Sequence, residues 1–153
     1  MRKIFLLIVF IVFCFVFLFF IEQRKEITYK DFDSETIIEF PKCGKKIFFK
    51  IADESIEQQI GFSKATNIAN DEGILFLFDS EQKRNFWMKD VNFDLDIIFL
   101  DKEGRVLEFF TMERCLEEKC KIYSTTYPIK YALEVKKDII KNCIARGDKI
   151  EID

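Results

Sequence analysis

The sequence predicts a mainly β domain, a compact antiparallel β-sandwich or barrel with two short helices, preceded by one N-terminal transmembrane helix. Three observations carry this expectation. Residues 4–21, IFLLIVFIVFCFVFLFFI, are an unbroken apolar run. The rest of the chain breaks into about eight short apolar or alternating stretches separated by turn residues, the spacing of a sandwich or barrel. At its centre, residues 84–101 (RNFWMKDVNFDLDIIFLD) read as two strands joined by a polar link.

At about 1.5 Å per residue the apolar run spans roughly 27 Å, close to the hydrocarbon thickness of a bilayer. Arg2 and Lys3 precede it and a polar stretch, EQRK, follows. No small-x-small cleavage site follows, and the run is longer than a usual signal core, so it reads as an uncleaved signal-anchor. Cys14, after Ile11-Val12-Phe13, offers a lipidation site, but the apolar run continues past it. The expected organisation is therefore an anchor with flanking charges over 1–25, a linker over 26–35 and the β domain over 36–153. Lys and Arg are similar in number on the two sides of the run and do not orient it. Cys115 and Cys120, close together in a polar loop, suit an oxidising compartment. The domain is thus expected on the extracytoplasmic side, periplasmic or external, of the cytoplasmic membrane.

Strands are expected at 36–40, 46–51, 73–78, 86–89, 95–100, 105–111, 131–135 and 149–152. Pro41-Lys42-Cys43-Gly44 is a turn, and Asp101-Lys102-Glu103-Gly104 makes a hairpin of the two strands around it. A helix over 54–60 takes Asp53 as its cap and Gly61 as its stop. A second is expected over 137–145, ended by Arg146-Gly147-Asp148. Residues 112–126 form a long loop.

Side-chain alternation places Leu95, Ile97 and Phe99 on one face and Asp96, Ile98 and Leu100 on the other. Asp96 on an apolar face needs a partner, because burying a carboxylate alone costs several kcal/mol. Lys89 is the nearest plausible partner in sequence. Glu134, between Leu133 and Val135, points away from their face. If Lys89, Asp96 and Glu134 converge, they form a polar pocket with Trp87 as a ligand platform. The plainer alternative is a buried ion pair that fixes strand register. An enzymatic version uses Asp96 or Glu134 as general base with Lys89 stabilising charge, and paired carboxylates suit glycoside hydrolysis.

Cys115 and Cys120 are expected to form a disulfide, with Cys43 and Cys143 as candidates for a second. A four-cysteine zinc site fits poorly, because Cys43 and Cys143 are isolated in sequence. Tyr123-Ser124-Thr125-Thr126-Tyr127-Pro128 reads either as a carbohydrate-binding rim or as a plain solvated loop. Glu113, Glu117 and Glu118 lack the alternating oxygen ligands that calcium prefers. No metal and no cofactor is expected. The formal net charge of −3 is a poor match for nucleic acid, so none is expected as a partner. The chain has no histidine, which excludes Ser-His-Asp triads, Cys-His dyads and histidine metal sites.

Several segments together resemble the family known as domain of unknown function 192, over roughly 47–152. They are ADESIEQQIGFS (52–63), DEGILFLF (71–78), FWMKD (86–90), LDIIFLDKEGRV (95–106), the loop from Cys115 to Cys120, YALEV (131–135) and RGDKI (146–150). The resemblance implies a compact β-sandwich of jelly-roll type, often membrane-associated or secreted, and brings no activity with it. The family pattern after FWMK runs Asn-Thr and then a proline before Leu-Asp, where this chain has Asp90-Val91 and Asp94.

The functional expectation is a non-enzymatic accessory module, anchored through residues 4–21, that binds a small molecule, an envelope glycan or a partner protein. The alternatives are a carboxylate-dependent hydrolase of envelope or sugar substrates and a structural subunit of an envelope complex.

Overall fold

The structure is a computed structural model that describes residues 10–15 and 26–152. Residues 10–15 are helical. Most of the expected anchor lies outside the described residues, among which no helix is long and apolar enough to cross a membrane.

The domain is built on one six-stranded sheet. Its strands are β1 (Glu35–Phe40), β2 (Lys45–Ala52), β3 (Glu72–Gln82), β8 (Ile129–Lys136), β5 (Leu95–Leu100) and β6 (Val106–Met112), in that spatial order. A two-stranded ribbon, β4 (Asn85–Trp87) with β7 (Ile122–Ser124), lies apart from it. Neighbours in the main sheet are antiparallel except β2 and β3, which run parallel. A parallel pair needs a crossover, and residues 53–71 supply it, with the short helix α1 (Ser55–Ile60) at their start. This one mixed sheet replaces the antiparallel sandwich or barrel expected from strand spacing and the jelly roll implied by the resemblance. The ribbon is too short to be the second sheet of a sandwich.

Both faces of the sheet are covered. Ile74, Phe76, Ile97, Phe99 and Ala132 pack on one face beneath Phe62 and Ile68 of the crossover and Phe86 and Tyr123 of the ribbon. Ile98, Leu100, Leu133 and Val135 pack on the other beneath Ile140, Ile144 and Ile150 of the C-terminal segment. β3 carries Ile74, Phe76 and Phe78 on one side and Leu75 on the other, which is why its apolar run is continuous. Gly73 lets β3 pass between its neighbours: a Cβ there would fall 2.4 Å from the Phe49 ring and 2.8 Å from the Glu134 carbonyl oxygen.

The expected β5–β6 hairpin forms. Gly104 N–H donates to the Asp101 carbonyl at 3.1 Å, and Asp101 Oδ1 accepts from the backbone of Glu103 and Arg105 at 3.0 and 2.8 Å. In α1 the cap is Glu54 rather than Asp53, with Glu57 Oε2 reaching back to the N–H groups of Asp53 and Glu54. Two expectations fail in the C-terminal segment. Residues 137–145 are a series of turns rather than a helix, because Asp138 adopts φ 66°, outside the helical region, and Ile140, Cys143 and Ile144 are all drawn onto the sheet. Residues 149–152 form no strand, only a single bridge between Lys149 and Arg105. A 3-10 turn, Tyr29–Asp31, is the domain's second short helix instead.

Both disulfides are formed. Cys43 joins Cys143 across a sequence separation of 100, and Cys115 joins Cys120 across 5.

Candidate functional site

The central strands divide the expected residues between two faces. In the β5–β8 register Ile97 lies opposite Glu134, and Asp96 opposite Val135. Opposed residues share a face, so Asp96 and Glu134 lie on opposite faces of the sheet. Asp96 meets neither Lys89 nor Glu134. Its Oδ1 accepts from the Thr111 hydroxyl at 2.6 Å and its Oδ2 from the Asp138 N–H at 2.8 Å. It holds the turn after β8 against β5 and β6, which satisfies its carboxylate without a lysine. The convergence of Lys89, Asp96 and Glu134 expected from sequence does not occur.

Glu134, Trp87 and Lys89 do come together. They line a cavity of about 280 Å³ between α1, β4 and the sheet. Glu134 forms part of its floor. The side chain is 5% exposed, and its carboxyl has no hydrogen-bond or charge partner among the described residues. A Cβ at Gly61, where α1 stops with φ 45°, would lie 3.9 Å from Glu134 Oε2, so the glycine keeps the space above the acid open. Burial with no compensating partner pushes the carboxyl up to about 8, which leaves it largely protonated at neutral pH. Aromatic rings form the walls. Phe76 and Phe86 meet edge to face at 5.7 Å, and Phe78 packs beside them. Trp87 is 52% exposed at the mouth, with Lys89 Nζ 5.6 Å from its ring centre. Lys89, expected as the last residue of this strand, instead sits in the turn after β4, two residues beyond the strand's end at Trp87.

Arg84 also lines the cavity and was not among the expected residues. Its guanidinium lies 4.4 Å from the centre of the Phe78 ring, its Nη2 donates to the Ser80 carbonyl at 3.4 Å, and its Nε is buried with no hydrogen bond. Alternation held the clue, since Arg84 shares its side of the strand with the buried Phe86 and Met88. Gln58, which fixes α1 to β3 through the Leu77 carbonyl at 2.9 Å, adds an amide, as do Gln59 and Asn85. The ionisable residues lining the cavity are Glu134, Arg84 and Lys89.

The remaining candidates have internal roles. In the stretch 123–128, the Tyr123 hydroxyl accepts from Glu113 N–H at 3.0 Å, and Thr125 Oγ1 from Arg84 N–H at 2.9 Å. Thr126 donates to Glu108 from both its N–H and its hydroxyl, at 2.7 and 2.9 Å. These hydroxyls are committed to the fold rather than to a carbohydrate rim. Asp94, one of the departures from the family pattern, accepts from Arg114 N–H at 2.9 Å and pairs with Lys137 at 3.0 Å. The Arg114 backbone bond first, and then Lys137, hold its carboxyl below the usual range. Among the described residues no group of three or more Cys, Asp or Glu is placed to hold a metal ion.

Fold and cavity together define a small β-rich domain with an aromatic-walled pocket floored by an unpartnered acid. The chain belongs to the DUF192 family, described as Uncharacterized ACR, whose model matches residues 38–152. The fold is shared with solved structures that include the following two. A protein of Sinorhizobium meliloti 1021, described as a candidate transcription regulator, is 22% identical with a TM-score of 0.69, covering 83% of this chain and 97% of that one. A protein of unknown function from Novosphingobium aromaticivorans DSM 12444 is 21% identical with a TM-score of 0.63, covering 84% and 99%. No curated protein matches the chain in sequence.

Proposed function

We propose that this chain is a non-enzymatic binding module, tethered through residues 4–21 to the outer face of the cytoplasmic membrane, that holds a small molecule in the Glu134 cavity. The observation that carries the reading is Glu134 itself. A buried carboxyl with no partner costs stability, and it lies where a solute entering past Trp87 would meet it. The tether is supported by the apolar run, and the outer face by the two disulfides, which persist in oxidising compartments. A two-carboxylate hydrolase finds no support, because the sheet separates Asp96 from Glu134 and, among the described residues, no second acid lines the cavity.

Gln59 is exposed on α1 at the cavity wall, so Gln59→Trp closes the mouth without disturbing the core. Native mass spectrometry of the full-length chain, extracted from its own membrane under oxidising conditions, is expected to show a small-molecule adduct on the wild type that Gln59→Trp lacks. Identical adduct-free spectra for both proteins would overturn the reading.

One observation favours the alternative of an envelope-complex subunit. Ile37 and Phe48 are opposed across β1 and β2, and each is more than half exposed, which makes an apolar pair beside the edge strand β1. A photoreactive residue at position 48, activated in intact membranes, should give a discrete cross-linked protein if this pair docks a subunit; uncross-linked chain alone would argue against it.

A further inference from the structure

The charges around the cavity are arranged in depth. Glu134 lies at the floor, while Arg84 on the wall and Lys89 in the exposed turn at the mouth are cationic. Between floor and mouth the surface is aromatic, from Phe76, Phe78 and Phe86. Resting on the reading of this cavity as a ligand site, we infer that its ligand is a small amino carboxylate, a zwitterion that enters amine first, places its ammonium against Glu134 and leaves its carboxylate between Arg84 and Lys89.

Other ligand chemistries answer only one end of the cavity. A simple amine would satisfy Glu134 but place its cation beneath Arg84 and Lys89. A simple carboxylate would satisfy Arg84 and leave Glu134 a neutral acid with no cation beside it. A neutral sugar would leave the guanidinium without an ionic partner. A zwitterion answers both, since a buried acid and an ammonium in low dielectric attract strongly and a guanidinium suits a carboxylate. The aromatic zone between them fits the methylene spacer, and the volume, just below the roughly 300–1,000 Å³ usual for ligand sites, limits the ligand to a small one. The Gln59 amide, the Gln58 side-chain oxygen and the Asn85 side-chain nitrogen remain for lateral hydrogen bonds, since Gln58 Nε2 is held by the Leu77 carbonyl and Asn85 Oδ1 by the Ser124 hydroxyl.

Binding is then linked to a proton. The free protein holds one on Glu134, whose carboxyl is pushed up to about 8, and an ammonium displaces it. Glu134 supplies the linkage.

The test is isothermal titration of the full-length, disulfide-intact chain in detergent with glycine, 4-aminobutyrate and 5-aminopentanoate, and with butylamine, butyrate and glucose for comparison. At least one amino carboxylate is expected to bind about tenfold or more tightly than either single-charge analogue, and about tenfold more tightly at pH 8 than at pH 6.5. Glu134→Gln, close in shape and needing no new space, is expected to abolish the pH dependence and weaken binding about tenfold or more. Arg84→Gln is expected to weaken amino carboxylates and leave butylamine unaffected or improved. Saturable binding of glucose with none by the amino carboxylates would overturn the zwitterion and leave the cavity a ligand site. No binding of any probe, together with adduct-free spectra that Gln59→Trp does not change, would overturn both.

Discussion

Two acids one strand apart have different fates because of the face each occupies. Asp96 meets a hydroxyl and a backbone N–H; Glu134 has no hydrogen-bond or charge partner among the described residues. Replacing Asp96 by Ala strands the Asp138 N–H and the Thr111 hydroxyl, and should cost about 1–3 kcal/mol in chemical denaturation. Because Asp96 lies on the far face, the same variant should keep its adduct in native mass spectrometry. Glu134 predicts a pH dependence. Its folded value of about 8 lies above the ordinary 4.5, so between those pH values the native state keeps a proton that the unfolded chain has lost. Its contribution is therefore whole below about pH 4.5, declines by at most roughly 1.4 kcal/mol per pH unit as pH rises toward 8, and is gone above. Denaturation midpoints measured at pH 5, 7 and 9 should show the wild type losing stability relative to Glu134→Gln across that window. Parallel curves would mean that the carboxyl is not held in its neutral form.

At the scale of elements, the C-terminal segment shows where local pattern misleads. Residues 137–145 have helix-forming composition, but three apolar side chains and a disulfide tie successive turns to the sheet face, and tertiary contacts override the propensity. The ribbon strand β7 was hidden in a polar loop, because a three-residue strand offers too short an alternation to register. The two disulfides fasten very different lengths of chain. Loop-closure entropy gives roughly 5 kcal/mol for a separation of 100 residues and roughly 2 kcal/mol for 5. Removing Cys43–Cys143 by paired Ser substitutions should therefore lower the denaturation midpoint clearly more than removing Cys115–Cys120. Equal effects would point to residual structure in the unfolded chain near Cys43 and Cys143.

At the scale of the whole molecule, one sheet is covered on both sides by unlike layers. The helix, crossover and ribbon cover one side and make the Glu134 cavity; the C-terminal turns cover the other and pack its apolar core. The proposed placement outside the cytoplasmic membrane has a chemical signature. Of the five cysteines, the four in disulfides should resist maleimide in denatured, unreduced cell extracts, leaving Cys14 as the labelled thiol. Labelling of all five would place the domain in a reducing compartment.

The sequence by itself determined the mainly β class, most strand positions, the β5–β6 hairpin, the faces of Asp96 and Glu134 on their own strands, and the family. Each of these depends on local alternation, turn residues or short motifs, which act over a few neighbours. Only the tertiary structure decided that β2 and β3 run parallel, that the second sheet is a mere ribbon, and that Asp96 and Glu134 face opposite ways while Arg84 joins Glu134. Strand order and register are set by which apolar faces meet across long separations, and side-chain alternation within a strand carries no information about the strand that will lie beside it.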